Sequence, residues 1–185
     1  GNGTQFSPKG LRHWVLPANL LAAVALPGTV DGIIQTITDD LNRLWNSLLN
    51  NNIPMINPGF IMAPRVATFL RTFRSTLGQL VWGDEMNTRG TLLGIPFRVT
   101  TSVPINIGTG NTGSELTLCD FNDAVIGESL NLIIDVSTEA SYIQDGELRS
   151  AFSRDQTVVR AIQEHDFAMR RDESVAILDD VQWGA

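Results

Sequence analysis

Apolar residues recur at two different periods along this chain, and each change of period marks an element. Residues 1–30 keep neither period. Gly1, Gly3, Pro8, Gly10, Pro17, Pro27 and Gly28 interrupt them, which predicts loop or irregular extended chain. The pattern then turns helical: Ile33, Ile34, Ile37, Leu41, Leu44, Trp45, Leu48 and Leu49 fall at 3.6-residue spacing. Gln35, Asp39, Asn42, Arg43 and Asn46 occupy the opposite face. Thr29 or Asp31 can cap the start, and Asn50-Asn51-Asn52 followed by Pro54 ends it. Residues 57–62 read as a short buried strand. Pro64 suits the first turn of a second helix, where its missing N–H costs nothing. Val66, Phe69, Leu70 and Phe73 line one face of that helix, with Arg65, Arg71 and Arg74 outside.

From Leu77 onward β signals dominate. The predicted strands are 79–82, 97–103, 115–119, 130–136, 156–164 and 175–178, with Leu130, Leu132, Ile134 and Val136 alternating in the fourth. Gly94 and Pro96 break the chain before the second of them, and Pro104 closes it. Helices beside a sheet of several non-sequential strands make an α+β domain, with two or three helices packed on a mixed β-sheet. No internal repeat, low-complexity tract or charge block interrupts the 185 residues.

Composition narrows the classes of function. A hydrophobic content of 43% and a charged content of 18% suit a folded protein with part of its surface covered. Extensive subunit contacts or a large monomeric core would give the same figures. The net charge of −7 argues against dedicated binding to a phosphate backbone, which needs a basic stripe. It does not oppose a shell around DNA. Cys119, the one cysteine, leaves no internal disulfide framework and no Cys-x-x-Cys zinc cluster. No apolar run reaches 18 residues, so no membrane span is expected, and the 16–26 segment lacks the basic start of a signal peptide. The chain opens Gly-Asn-Gly without Met, which suggests a fragment of something longer.

Several residue sets invite a chemical reading and then fail it. Gly108-Thr-Gly-Asn-Thr-Gly113 matches the dinucleotide fingerprint, which works only where a helix begins at its end. Ser114-Glu-Leu-Thr-Leu-Cys119 follows with a strand period, so a flexible surface loop is the better reading. Glu164-His165-Asp166 resembles an acid–base cluster, but adjacent residues of an extended chain point to opposite faces. His13 and His165, the two histidines, lack ligand spacing. Cys119 sits in an apolar-alternating strand and reads as a buried small residue. Asp39-Asp40, Asp84-Glu85 and Asp179-Asp180 read as solvated surface pairs, and Trp14, Trp45, Trp82 and Trp183 as anchors in core or interface. No catalytic, cofactor-binding or metal-binding residue is assigned, and no cofactor is expected.

Five phrases in order carry a resemblance. Gly1-Asn-Gly-Thr with Pro8-Lys-Gly-Leu, and Met55-Ile-Asn-Pro-Gly-Phe, come first. Leu93-Gly-Ile-Pro-Phe-Arg-Val follows, then Asp120-Phe-Asn-Asp-Ala, then Arg160-Ala with Asp166-Phe-Ala-Met. Together they resemble the C-terminal half of a tailed-bacteriophage major capsid protein of the Hong Kong ninety-seven type. Cys119 stands where that family usually has Gly, and Ile162-Gln163-Glu164 where it usually has Glu-Glu-Arg. In the family's self-cross-linking variant an Asn and a Glu act at positions that align with Asp155 and Ile162, and its Lys aligns upstream of residue 1. The resemblance therefore implies no isopeptide chemistry.

The resemblance implies an axial domain over residues 1–155 with an irregular lead-in. A strand segment, 156–185, returns to a peripheral domain whose spine helix, extended hairpin and N-terminal arm lie upstream. It implies a structural subunit of a bacteriophage or prophage icosahedral capsid, assembled in the bacterial cytoplasm and resident in the virion. Pentamers and hexamers of the chain itself would enclose the genome, touching DNA only non-specifically and no membrane. Portal, scaffold or protease, and decoration proteins are the further partners it suggests. Loops 83–90 and 104–114 are expected to face neighbouring subunits, so substituting Trp82 or deleting 106–113 should impair capsomers more than folding. An encapsulin-like nanocompartment shell shares the fold and is the alternative. A small-molecule hydrolase or dehydrogenase would need a pocket with convergent polar groups, and a generic adaptor domain is the third class.

Overall fold

The computed structural model describes residues 2–4 and 7–185; Gly1 of the first resembling phrase lies outside the described residues. The chain divides into two compact units, Gly1–Val125 with Met169–Ala185, and Ile126–Ala168. This division does not coincide with a boundary near residue 155. In particular the last strand, Val175–Val181, lies inside the main sheet of the first unit.

In the first unit the lead-in is more ordered than its Gly and Pro content suggests. It holds β1 (Asn2–Thr4), β2 (Ser7–Lys9), α1 (Leu11–Trp14) and β3 (Leu20–Ala22). Three-residue strands carry too little alternation to be read from a sequence. The long helix α2 runs Val30–Asn50, as its periodicity predicts, from the N-cap Thr29 to the C-cap Asn51. Ile37, Leu41, Leu44 and Leu48 form its buried stripe. Next come β4 (Pro58–Met62), α3 (Pro64–Thr72, with Pro64 in the first turn), α4 (Gly83–Thr88), β5 (Thr91–Leu92) and β6 (Ile95–Val99). The expected strand at 79–82 is reduced to one bridge, Arg74 to Leu80, and the expected loop at 83–90 is mostly the helix α4.

After β7 (Ser114–Asp120) the chain leaves through β8 (Ala124–Ser137), and it returns to form β12 (Val175–Val181). The six strands of the main sheet lie in the order β3, β12, β7, β4, β6, β5. Pairing is parallel for β12–β3 and β4–β6 and antiparallel elsewhere, so the sheet is mixed. The parallel β4–β6 pair needs a crossover, which α3 and α4 supply.

Burial explains why β7 sits at the centre. All seven of its residues are buried, so both sheet faces are covered there. Leu116 and Leu118 join Phe60, Met62, Ala176 and Leu178 in the core that packs under α2 and α3. Cys119, Val175 and Ile177 alternate to the other face and are equally buried. Arg12 of α1 forms ion pairs with Glu115 and Asp179, which ties the lead-in to the strands β7 and β12. The architecture is α+β, helices packed on a mixed sheet.

The second unit is thin. β8 pairs with β11 (Val158–Met169), and β9 (Ser141–Gln144) with β10 (Glu147–Ser150). The 141–150 hairpin has a clear turn signal in Asp145-Gly146, although its strands are only four residues long.

Candidate functional site

Four buried or half-buried carboxylates fix the backbone of the first unit. Asp120, fully buried, accepts hydrogen bonds from the N–H groups of Ile56 (3.1 Å), Asn57 (2.9 Å) and Asn122 (3.1 Å), joining the end of β7 to the lead of β4. Asp123 accepts from Arg171 Nε at 2.8 Å and from the Ser174 hydroxyl, while its carbonyl accepts from Arg170 N–H at 2.7 Å. That knot clasps the strand that leaves the sheet and the one that returns. Asp40 accepts from Val24 N–H (3.0 Å) and Arg43 (2.7 Å). Burial raises its pKa above the usual carboxylate value, against these bonds and the Arg43 charge. Asp40 is therefore not the solvated half of a surface pair, since the segment that follows β3 and an arginine on its own helix enclose it.

Glu85 corrects its own expectation in the same way. Its carboxylate accepts from Thr91 Oγ1 (2.7 Å), Gly94 N–H (2.7 Å) and Leu93 N–H (3.2 Å). Leu93 and Gly94 both have positive φ, +52° and +79°, as a tight hairpin turn between β5 and β6 requires. Partial burial opposes the charge on Glu85, but the bonds from Gly94, Thr91 and Leu93 and the nearby Arg89 outweigh it and lower its pKa.

The Gly108–Gly113 segment is followed by β7, so no helix N-terminus faces it. Two backbone bonds between Ile107 and Gly113 close it, and Arg65 donates to Thr112 O at 2.6 Å. A Cβ on Gly108 (φ +68°) would stand 2.0 Å from Asp180 Oδ1, so the glycine lets the loop lie against that carboxylate. Ile105 beside it is 52% exposed. Trp82, by contrast, is buried and packs against Phe73, their ring centroids 6.0 Å apart. Substituting it would act on folding first, which corrects the expectation that its loss impairs capsomers more than folding.

The remaining candidate residues stay apart. Cys119 is fully buried, and burial followed by the charges of Asp120 and Asp123 pushes its thiol up to about 12, so it is no nucleophile at neutral pH. Ser129 donates to Glu164 (2.7 Å) and Arg160 to Asp135 (2.6 Å), which places these four on one face of the β8–β11 ribbon. His165 therefore points to the opposite face from Glu164 and Asp166. Among the described residues no group of three or more His, Cys, Asp or Glu side chains could hold a metal. No described helix is long and apolar enough to cross a membrane.

The same geometry reveals what chemistry-directed reading missed. The ribbon's other face carries Ile126, Leu132, Ile134 and Val136 of β8 and Val159 of β11. These side chains are 57–69% exposed. Strict alternation at 130–136 was the signal for a half-buried strand, but on this chain nothing described covers the apolar side. Exposed apolar side chains gathered on one face are a feature of interaction surfaces.

Comparison with known proteins gives this surface a context. The profile of the phage capsid family matches residues 1–180. The major capsid protein of Klebsiella oxytoca phage phiKO2 is 37% identical over 177 residues, which cover 95% of this chain and 40% of that protein. The chain thus spans well under half the length of that relative. Among solved structures, the capsid of an empty GTA particle matches with a TM-score of 0.60 at 14% identity, over 98% of this chain and 57% of that one. The SrpI encapsulin of Synechococcus elongatus matches with a TM-score of 0.51 at 18% identity, over 94% and 56%. At such identities the two likenesses concern the fold alone.

Proposed function

The chain belongs to the phage capsid family, and from that membership we propose that it is a structural subunit of a bacteriophage or prophage icosahedral shell of the Hong Kong ninety-seven type. Copies join as pentamers and hexamers that enclose the genome, assembled in the bacterial cytoplasm and resident in the virion. The observation that carries this reading is the apolar ribbon face of residues 126–168. Five large aliphatic side chains more than half exposed are costly to leave in water and are explained if assembly buries them.

On this reading the sheet-bearing unit serves as the axial domain and residues 126–168 as strands of the peripheral domain. The greater length of the relative supports further segments, a spine helix above all. Contacts with portal, scaffold or protease and decoration proteins follow from a shell of this kind, and DNA would be held without sequence preference. The role is structural, with no reaction assigned to any residue.

The fold shared with an encapsulin favours a second reading, a nanocompartment shell around protein cargo. Negative-stain microscopy of particles formed by the protein, with assay of their nucleic acid, separates the two. Closed shells that contain DNA are expected. Shells holding protein cargo and no nucleic acid would move the reading to the compartment, and a failure to form shells would overturn both.

A further inference from the structure

The Gly108–Gly113 motif lacks the helix that a dinucleotide needs, yet an anion sits against it. That anion is the chain's own Asp180 carboxylate. A Cβ built on Gly108 or on Gly113 would collide with the same atom, Asp180 Oδ1. Both ends of the loop therefore close on one oxygen that only glycine lets them approach. A Cβ on Gly110, between them, would meet only Thr112 Oγ1, at 3.9 Å. The strand supplies the carboxylate from an irregular position. The pairing of β12 with β7 shifts register between Leu178 and Val181, and such a shift re-aims the side chains within it. Asp180 lies in that interval at a left-handed φ of +57°. Gln182 Nε2 donates to its Oδ1 at 3.5 Å. Around the contact the chain is tied on both sides. Ile107 and Gly113 exchange backbone hydrogen bonds of 3.1 and 2.8 Å, and the Ser114 hydroxyl donates to Pro104 O at 2.9 Å. Arg65 donates to Thr112 O (2.6 Å) and to Val181 O (3.5 Å), the carbonyls next in the chain to Gly113 and Asp180. Its guanidinium thus joins loop to strand end and brings a cation to their junction.

We propose that the Gly108–Gly113 loop is an anion cradle whose resident ligand is the Asp180 carboxylate, and that the loop keeps its closed form only while an anion fills it. The seat is the size of a carboxylate and already taken, so in the intact chain it admits no external phosphate or nucleotide. Its effect is to fix the loop. Ile105, 52% exposed beside it, is held in one arrangement before anything meets it, which removes an ordering cost from any later contact. All of these parts belong to the sheet-bearing unit, so the device stands or falls apart from the shell reading.

The test uses Asp180→Gly in the full chain. Glycine adopts a φ of +57° freely, so the substitution removes the carboxylate without straining the backbone. Hydrogen exchange over residues 105–113 is expected to run at least roughly tenfold faster in the variant. Formate, a free carboxylate, should restore slow exchange, and uncharged formamide of the same shape should not. Amides of β7 report the fold in the same experiment, and the parent in the same solutions corrects for salt. Asp180→Asn, which keeps the shape and removes the charge, should open the loop and gain nothing from formate. Unchanged exchange in either variant would overturn the proposal. So would fast exchange in Asp180→Gly that formate and formamide leave alike, since Asp180 would then be an ordinary stabilising contact and not the occupant of a site. If Asp180→Gly loses the protection of β7 as well, Asp180→Asn decides. A loop opened alone supports the cradle, and loss of β7 there too overturns it, because the carboxylate would then hold the fold and not the loop.

Discussion

Carboxylates placed against backbone N–H groups do more for this fold than their surroundings in the sequence announce. Asp39-Asp40 and Asp84-Glu85 look alike as acidic pairs, yet Asp40 and Glu85 each bind a chain segment remote from their own helix turn. Nothing local distinguishes them, because burial of a carboxylate depends on which segment the fold brings over it. The two differ in sign. Glu85 has a lowered pKa in the folded state, so its bonds contribute fully above its unfolded pKa and are lost as pH falls through the folded value. Urea midpoints of Glu85→Gln and the parent should therefore differ most at neutral pH and converge only once the pH lies below the lowered pKa of the folded carboxylate. A constant gap across that window would remove the ionised carboxylate from the account. Asp40, with its pKa raised by burial, acts oppositely, and its contribution declines as pH rises above the unfolded value. For Asp123→Ala, which leaves Ser174 and Arg171 without their acceptor, a loss on the order of 1–3 kcal/mol is expected in chemical denaturation. Gly108→Ala meets both a positive φ and the Asp180 carboxylate, and a cost of roughly 1–3 kcal/mol should appear as a lower thermal midpoint.

Elements with a long period were legible in the sequence, and short ones were not. The stripe Ile37, Leu41, Leu44, Leu48 specifies α2 and the face it buries, and Pro64 marks the start of α3. Leu44→Ala, at the centre of the stripe and fully buried, should cost about 2–5 kcal/mol through lost burial and a residual cavity. On the ribbon, Leu132→Ser should shift the unfolding midpoint of the chain little, because the side chain is 57% exposed. A large loss there would mean that the face is already covered within the chain. β3 escaped notice because it has three residues and is held by pairing with β12, a partner more than 150 positions away. α4 has six residues, too few to show a helical stripe, and lies in a charged stretch that reads as loop. The final strand was placed in the sequence but not in the fold. Its residues 175–178 predict a buried strand, while only the pairing with β7 and β3 reveals that it closes the main sheet. The candidate surface was half legible. Alternation at 130–136 announced an apolar face, but a sequence does not say whether that face meets the chain's own core or another surface.

At the scale of the molecule, the two units are unequal in what holds them. The sheet-bearing unit encloses a core in which α2, α3 and four strands share fully buried side chains. The unit 126–168 consists of a ribbon and a hairpin, two-stranded pieces that are marginal in water without packing on a third layer. Its large aliphatic residues are mostly exposed, from Ile126 through Ile143 and Leu148 to Val159. A part so constituted gains its stability from whatever covers it, and the shell reading makes assembly the source of that cover. Backbone hydrogen exchange should therefore differ between the units in dissociated protein. Amides of β7, buried on both faces, should open only with global unfolding, while those of β8 and β11 beyond the Asp123 knot exchange through local opening. On assembly the ribbon amides should slow markedly and those of β7 should change little. If the ribbon is as protected as β7 before assembly, or gains nothing from it, then residues 126–168 are stable by themselves and their exposed apolar face needs another explanation.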